Sequence, residues 1–451
     1  MPSSSNRPNV VVFLTDQQRW DSMGSHGNPL DLTPNLDRLA ARGTLVDKAF
    51  TCQPVCGPAR SVLQTGCYPN VNGVHTNGIR LWDGPTLAQD FTAAGYDTAY
   101  IGKWHLASTR TAVPAELRGG YDYWLGADAV EFVSDAYDAK LYDNDDQPTR
   151  LPGYRSDAFI DAAIDYLARP HERPFLLFVS ILEPHHQNAR DDYPAPDGYR
   201  ERYEGRWMPA DLQALGGNAA QSLGGYWGMI KRIDEGFGRL LDAVRTEGLS
   251  DNTVVAFTSD HGCHFKTRNA EYKRSEHEAS IRIPMVLAGP GFDGGGRIQD
   301  MVSLIDLPPT LLDAAGIDVP ERMQGRSIIP LVNRDNTGWP DDVFVQISES
   351  CVGRAIRTRD YKYAVIADGV PGNQPGSDTY TEATLYDLTA DPHELTNLIG
   401  RESFAEVAAS LRERLLRRMV AAGETAPTII PAPALPPGGQ RAPRSMDRSR
   451  S

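Results

Sequence analysis

Residues capable of chemistry are concentrated between Val55 and Gly66, in the sequence Val-Cys-Gly-Pro-Ala-Arg-Ser-Val-Leu-Gln-Thr-Gly. Pro58 suits the first turn of a short helix and Gly66 suits its end, which places Cys56 at the helix N-terminus. Free backbone N–H groups and the helix dipole favour negative charge at that end. Position alone leaves two interpretations open, a reactive Cys56 and a buried thiol that precedes a helix.

The same stretch resembles the signature of the type I sulfatases, Cys-x-Pro-x-Arg followed by Thr-Gly. In that family, which belongs to the alkaline phosphatase superfamily, a formylglycine-generating enzyme converts the cysteine to Cα-formylglycine. The resemblance implies that the hydrated aldehyde formed from Cys56 attacks sulfur and that its second hydroxyl then expels sulfate. Cys52 also precedes a proline, but Cys56 occupies the position at which the motif requires arginine.

Two further segments match the positions at which sulfatases bind a divalent metal. Asp16 and Gln17 follow the first apolar run, and Asp260 and His261 follow a later one. The resemblance implies that these side chains bind one ion together with an oxygen of formylglycine from Cys56 or of sulfate. Mostly oxygen donors indicate Ca²⁺, with Mg²⁺ and Mn²⁺ as alternatives. Gln17 stands where the family usually has aspartate, which lowers the negative charge of the ligand set.

Family-like motifs also supply a cationic pocket for sulfate, made of Arg60, Lys103, His105, His185 and Lys273. A sulfuryl group in transfer carries negative charge, which preorganised cations and a metal stabilise. The resemblance implies that Arg60 holds formylglycine and sulfate, and that Lys103 and Lys273 bind sulfate oxygens. It also implies that His105 is the base of the elimination and that His185 protonates the leaving alcohol. His186 is the alternative for this last role.

The loop after the second metal pair contains three polar or cationic side chains, His264, Lys266 and Arg268. We expect it to line the entrance and to bind an anionic sugar, although solvated side chains would give the same pattern. The loop and the Glu-Pro-His-His-Gln-Asn element resemble those of bacterial carbohydrate sulfatases. The expected partner is therefore a sulfated carbohydrate or another small sulfate ester.

Two other functions remain open. Cys-Gly-Pro-Ala-Arg and the Asp-Gln pair also resemble phosphonate monoester and phosphodiester hydrolases of the same superfamily. The intact Gly-Lys-Trp-His element favours the sulfatase. A catalytically silent protein that binds sulfated glycans, with Cys56 left as a thiol, is the third interpretation.

Apolar runs rich in β-branched residues alternate with amphipathic stretches, which predicts an α/β fold with a mainly parallel sheet sandwiched by helices. The resemblance implies the alkaline-phosphatase-like version of that fold. Sites in such sheets lie at the carboxyl ends of the strands. The predicted strands are Val10–Leu14, Thr98–Ile101, Phe175–Ile181 and Val254–Thr258, and the predicted helices are Thr33–Gly43, Asp157–Ala168 and Gly225–Glu247.

The sequence divides into three parts. Residues 1–335 form the predicted sulfatase catalytic domain. Residues 336–422 form a smaller α+β subdomain, with short antiparallel strands at 343–348, 355–358 and 361–366 and a helix at 403–421. Prolines crowd the remainder, 423–451, which is predicted to be a disordered tail. The family resemblance extends over residues 8–420.

Composition limits the partners and the compartment. The 451 residues include 45 basic and 59 acidic side chains, a formal net charge of −14. Proteins that bind nucleic acid usually show a basic surface, so nucleic acid is not an expected partner.

Five cysteines make no disulfide framework, and reduced thiols are favoured over a local disulfide among the close trio. The polar start and the absence of a long apolar run predict a cytoplasmic enzyme without a membrane segment. The oligomeric state stays open.

Overall fold

The computed structural model describes residues 7–294, 296–436 and 439–441. Strands and helices are interspersed through the first three hundred residues, and four strands then follow one another directly between residues 342 and 387. The strands are β1 (Asn9–Thr15), β2 (Thr44–Phe50), β3 (Asp97–Lys103), β4 (Tyr123–Ala127), β5 (Ala139–Tyr142), β6 (Pro148–Leu151), β7 (Phe175–Ser180), β8 (Thr253–Ser259), β9 (Arg282–Ile283), β10 (Met285–Ala288), β11 (Gly296–Ser303), β12 (Asp342–Ile347), β13 (Gly353–Thr358), β14 (Tyr361–Ile366), β15 (Thr379–Asp387) and β16 (Thr428–Ile430).

The helices range from single turns to a long helix that packs along the sheet. They are α1 (Pro34–Arg42), α2 (Cys56–Thr65), α3 (Pro69–Asn72), α4 (Leu87–Ala93), α5 (Val130–Val133), α6 (Arg155–Leu167), α7 (Tyr199–Tyr203), α8 (Ala210–Leu215), α9 (Ala219–Thr246), α10 (Glu278–Ile281), α11 (Leu307–Ala314), α12 (Ile329–Val332) and α13 (Ala405–Ala421). Among the described residues, none of these helices combines the length and the apolar character that a membrane span requires.

Eleven strands of the described residues form one large sheet, in the order β11-β2-β10-β8-β1-β7-β3-β4-β5-β6 with β9 paired to β2. Its centre, β8-β1-β7-β3-β4, is parallel. The strands that flank this centre pair antiparallel at β8–β10, β2–β10, β4–β5 and β5–β6. The α/β prediction is confirmed, and the parallel arrangement applies to the central strands.

Side chains of β1 alternate between two cores, one on each face of the sheet. Val10 and Val12 join a cluster that includes residues of α2, α4 and α11. Val11 and Phe13 join a second cluster built with α1, α6 and α9. Because both faces are covered, every position of the strand is buried and Val10–Leu14 is continuously apolar, as buried parallel strands are.

The register of the parallel centre brings several chain segments to one edge. Thr15 pairs with Ser259, and Leu14 and Gly102 both pair with Ser180. The residues that follow these strand ends therefore emerge side by side. This edge is where ligands bind in open α/β sheets.

A second, five-stranded sheet forms the C-terminal region, in the order β12-β13-β14-β15-β16. Its strands pair antiparallel except at β15–β16, and α13 packs against it. Val345 and Ala364 of this sheet share a core cluster with Phe50 of the large sheet. The two sheets therefore pack against each other.

The structure corrects the prediction of a disordered tail from Gly423 onward. Thr428–Ile430 forms β16 beside β15, with Ile429 only 8% exposed. Glu424 pairs with the buried Arg354 at 2.7 Å. The buried Ile429 side chain and the Glu424–Arg354 ion pair therefore extend the folded part of the chain beyond residue 422, where the predicted subdomain ends. Residues 437–438 and 442–451 of the predicted tail lie outside the described residues.

Candidate active site

Cys56 is the first residue of α2 and is fully buried. Its Sγ lies 2.7 Å from Lys273 Nζ, 3.3 Å from His261 Nε2 and 3.5 Å from Asp16 Oδ1. The adjacent Gly57 N–H donates to Asn77 Oδ1 at 2.8 Å, which fixes the first turn of the helix. The predicted helix and the position of the cysteine at its start are confirmed by this geometry.

Four side chains around this point have donor atoms within 4.8 Å of one another: Asp16, Cys56, Asp260 and His261. The Nδ1 of His261 lies 2.9 Å from the Gly262 carbonyl, which can accept only from a protonated nitrogen. This contact assigns the proton to Nδ1 and leaves the Nε2 lone pair facing the cluster. Such an outer hydrogen bond commonly orients a metal-binding histidine.

Gln17 belongs to the same edge of the sheet but is held differently. Its backbone has a φ of 70°, and its N–H donates to Asp260 Oδ1 at 3.1 Å. Its Nε2 donates to the Tyr193 hydroxyl at 3.2 Å, and its Oε1 is buried without a hydrogen-bond partner in the described structure. A buried amide oxygen without a partner fits a metal ligand, because such an atom otherwise loses the hydrogen bonds that water would supply.

Two buried cations contact the carboxylates from the other side. The Arg60 guanidinium lies 3.0 Å from Asp16 Oδ2 and 3.2 Å from Asp260 Oδ2. Lys103 Nζ lies 2.8 Å from Asp16 Oδ2 and 3.1 Å from Glu131 Oε1. Arg60 and Lys103 are therefore oriented before any ligand arrives.

Lys273 and the predicted histidines complete the cationic side of the cluster. Lys273 Nζ lies 3.2 Å from His185 Nε2 and 3.1 Å from His261 Nε2. His186 stacks between the rings of His185 and Tyr272, with 4.3 Å between centroids on each side. Burial lowers the pKa of His186, which favours its neutral form. His185 is thus the member of the pair that contacts the cluster.

His105 lies at the end of β3 with a left-handed φ of 61°. Its backbone N–H donates to Asp128 O at 2.9 Å, which holds this turn. Burial and the Lys103 charge lower the pKa of His105, but Glu131 and a hydrogen bond with Cys56 outweigh them and raise it. Its side chain therefore lies in the same cluster as Cys56 and Glu131.

The electrostatics at Cys56 combine opposing effects. Burial raises the pKa of the thiol, but nearby positive charges, led by Lys103 and Lys273, outweigh burial and hold the pKa well below its ordinary value. Burial likewise raises the pKa of Glu131. The Lys103 charge opposes burial most strongly, and the net result is a pKa of about 2. The site thus favours a negative charge at the Cys56 position.

The structure separates the three residues that were predicted to bind substrate, and each of them has a partner within the protein. His264 is fully buried, with Nε2 3.0 Å from Lys273 O, and burial lowers its pKa to about 3. Lys266 pairs with Asp191 at 2.6 Å. Arg268 donates to the carbonyls of His393 and Glu394. These contacts exist because the loop packs back on the protein.

The structure adds site residues that sequence reasoning missed. Glu131 pairs with Lys103, and Ser180 accepts from Arg60 at 2.6 Å. Ser180 ends β7, so its position at the carboxyl edge of a predicted strand was a usable signal. Glu131 lies on the short helix α5, and no motif in the sequence marks it.

The comparisons with known proteins agree with this geometry. The family model described as sulfatase matches residues 8–317, and the model described as N-sulphoglucosamine sulphohydrolase, C-terminal, matches residues 270–421. The ulvan-active sulfatase of Formosa agariphila is 31% identical over 438 residues, covering 93% of this chain and 82% of that protein. The multifunctional alkaline phosphatase superfamily protein PehA of Trinickia caryophylli is 28% identical, covering 91% of this chain and 95% of PehA.

A solved structure shows the same fold. The candidate sulfatase YidJ of Bacteroides fragilis superposes with a TM-score of 0.81 at 27% identity, covering 93% of this chain and 97% of that one. The family model alone spans more than half of the chain. The chain therefore belongs to the sulfatase family, and it is a sulfuric ester hydrolase.

Proposed function

We propose that this protein hydrolyses sulfate monoesters of a sulfated carbohydrate, using a formylglycine formed from Cys56. The observation that carries the proposal is the position of Cys56 at the start of α2, facing both the metal-ligand cluster and Lys273. Ulvan in the name of one relative supports a carbohydrate substrate. A formylglycine-generating enzyme is the partner that the modification requires.

Two groups complete the site in this proposal. Formylglycine at position 56 would supply, as its hydrate, two hydroxyl groups, one as the nucleophile and one for the release of sulfate. Asp16, Gln17, Asp260 and His261 would hold a divalent cation, which would supply positive charge for the sulfate group. Carboxylate and amide oxygens favour Ca²⁺, Mg²⁺ or Mn²⁺, and Ca²⁺ is the first choice.

The remaining side chains act on charge and protons. Arg60 and Lys103 are fixed by buried carboxylates and stabilise the transferred sulfuryl group, a task for which preorganised donors are well suited. Lys273 contacts both the nucleophile position and His185, so it links the attacking and leaving sides. His185 delivers a proton to the leaving alcohol, and His105 accepts the proton released in the elimination.

Hydrolysis of phosphonate monoesters or phosphodiesters is the second candidate function. Gln17 favours it, because the Asp16–Gln17 pair resembles the corresponding pair of those hydrolases. A relative with a multifunctional description points in the same direction. Parallel initial rates on 4-nitrophenyl sulfate and 4-nitrophenyl phenylphosphonate decide between the two, and faster phosphonate turnover would reverse the assignment.

Cys56→Ala tests the nucleophile. We expect hydrolysis of 4-nitrophenyl sulfate to fall by about 10³-fold or more, since the covalent route is lost. Cys67→Ala is the matched control, because Cys67 is also buried and its Sγ lies against the carbonyls of Thr65 and Arg322. Mass spectrometry of the Cys56 peptide from the native host should show an aldehyde in place of the thiol. An unmodified thiol in active protein, or an active Cys56→Ala variant, would refute the mechanism.

A further inference from the structure

His185 lies in a short segment that one buried side chain holds on both sides. Glu183 stands two residues before His185, and Gln187 stands two residues after it. Arg155, the first residue of α6, donates from Nε to Glu183 Oε1 at 2.8 Å and from Nη1 to Gln187 Oε1 at 3.2 Å. A single guanidinium therefore spans the segment that carries the histidine.

The three side chains of this bridge are shielded from water. Arg155 and Glu183 are 0% exposed, and Gln187 is 4% exposed. Their hydrogen bonds are stronger than they would be in water, because the local dielectric constant is low. Residues of α6 belong to the core cluster that this helix forms with α1 and α9. The bridge thus ties the His185 segment to a packed helix.

Gln187 extends the bridge to the helix α5. Its Nε2 donates to Glu131 O at 3.0 Å and to Ser134 O at 3.3 Å. Arg155 Nη1 also donates to Ser134 O, at 3.2 Å. The Glu131 side chain in turn lies 3.1 Å from Lys103 Nζ. The segment with the histidine and the helix that holds a sulfate-binding cation are therefore joined to the same guanidinium.

The orientation of the His185 ring depends on its own segment. Its Nδ1 lies 2.6 Å from His186 O, which accepts only from a protonated nitrogen. This contact leaves Nε2 facing Lys273 Nζ at 3.2 Å. A shift of the segment would move the ring together with its backbone partner, and Nε2 would leave its position at the cluster.

We propose that Arg155 is a positioning residue for proton transfer to the leaving alcohol. By holding Glu183 and Gln187, it keeps His185 Nε2 where its proton can pass to the bridging oxygen as the S–O bond breaks. The inference rests on the role that the proposed function gives to His185. A general acid contributes about 10²–10⁴-fold to a rate, and a displacement of about 1 Å can remove about 10²-fold.

Arg155→Lys tests the bridge, because it keeps a positive charge beside Glu183 but replaces the planar fork by a single point. Phenyl sulfate needs protonation of its leaving oxygen more than 4-nitrophenyl sulfate does, since phenolate is the poorer leaving group. We expect Arg155→Lys to lower kcat/KM about tenfold more on phenyl sulfate than on 4-nitrophenyl sulfate. Gln187→Leu, which changes no charge, should show the same dependence on the leaving group.

Two further variants separate positioning from folding. Arg354→Lys is the matched control, because Arg354 is also buried and pairs with Glu424 at 2.7 Å in the C-terminal region. It should change the rates on both esters by the same factor. His185→Ala should reproduce the leaving-group dependence, and adding Arg155→Lys to it should change the ratio of the two rates by less than about twofold, because Arg155 acts through His185.

Circular dichroism and Tm establish that each variant is folded. Equal losses on both esters in Arg155→Lys and Gln187→Leu would overturn the inference, and so would a further change of the ratio in the double variant. Absence of the leaving-group dependence in His185→Ala would refute the role that the proposed function gives to His185, and the inference would fall with it.

Discussion

The individual residues of the site act as a charge-balanced buried network. Arg60 and Lys103 are at most 2% exposed, and the carboxylates that they contact are at most 4% exposed. Removing one partner from a buried ion pair leaves an uncompensated charge, which costs about 3–5 kcal/mol. Substitutions that keep the shape of the side chain are therefore the informative ones.

Asp260→Asn should separate metal binding from folding. The change keeps the hydrogen bond that Gln17 N–H donates to Oδ1 but removes one negative charge from the cluster. We expect the affinity for Ca²⁺ or Mn²⁺ to fall by at least about 10–100-fold, measured by isothermal titration and by metal content. Circular dichroism should stay native.

Asp293→Asn is the control for that experiment, because Asp293 is exposed and accepts from Gly289 N–H in a turn away from the cluster. Equal metal affinity in wild type and Asp260→Asn would show that Asp260 is not a ligand.

At the scale of elements, a long-range cap joins two helices on one face of the sheet. Asp234 of α9 accepts from the backbone N–H groups of Asn35 and Leu36 at the start of α1, at 3.0 and 2.9 Å. These donors have no partner within their own helix. Asp234 thus replaces a local cap, since Thr33 makes no capping hydrogen bond.

Asp234→Ala should lower the free energy of unfolding by about 1–2 kcal/mol, the usual effect of losing a helix cap. Urea denaturation at about pH 4 measures it, below the range in which the contribution of Asp234 is lost. Asp242→Ala, on the exposed side of the same helix, should change stability by less than about 0.5 kcal/mol. Equal stability of Asp234→Ala and wild type would contradict the capping role.

The same residue gives a pH dependence. Burial raises the pKa of Asp234 from 3.8 to about 6. Because the native pKa lies above the unfolded one, the stabilisation is full below pH 3.8 and is lost as pH rises through 6. The stability of wild type relative to Asp234→Asn should therefore fall between about pH 4 and 6. A constant difference in stability between the two proteins across that pH range would contradict the raised pKa of Asp234.

The elements that sequence reasoning identified are those with the strongest patterns. Phe175–Ser180 and Thr253–Ser259 are apolar runs buried on both faces, and the predicted strands overlap them closely. Thr44–Phe50 was not singled out, because its Asp-Lys pair interrupts the run at partly exposed positions. α9 begins at Ala219 rather than Gly225, since its first turns pack on α7.

At the scale of the whole molecule, a buried ion cluster connects the two sheets. Lys362 of β14 is fully buried and lies 2.9 Å from Glu278 of α10 and 2.6 Å from Glu394. Glu394 also accepts from the Glu278 N–H at 2.8 Å. This junction lies beside a cavity of about 230 Å³ that Glu278 and Glu394 both help to line, between the catalytic part and the C-terminal region. The two parts should therefore unfold together.

Lys362→Met tests this coupling. Two carboxylates then lose their central cation, so we expect a loss of about 3–5 kcal/mol and a lower Tm. Scanning calorimetry of the wild type should show a single transition. Arg297→Met, which removes a half-exposed pair with Asp47, should cost less than about 1 kcal/mol. Two separate wild-type transitions would contradict the coupling.

The net charge of −14 is distributed over the whole chain, whereas Arg60, Lys103 and Lys273 are collected at one point. An acidic protein can thus bind a sulfate ester, because local fields in a buried site exceed the average field of the surface.

The sequence by itself determined the family, and it predicted the nucleophile position and the metal-ligand pairs, because those residues follow a strand end or a helix start that a local pattern reveals. Asp16 and Asp260 become neighbours once β1 and β8 are paired in parallel. Only the tertiary structure decided the surroundings of these residues. Glu131 joins Lys103 across a chain separation of 28 residues, and Arg268 turns away from the site to bind the C-terminal region. Such contacts depend on side-chain direction after packing, which the order of residues in the chain does not specify.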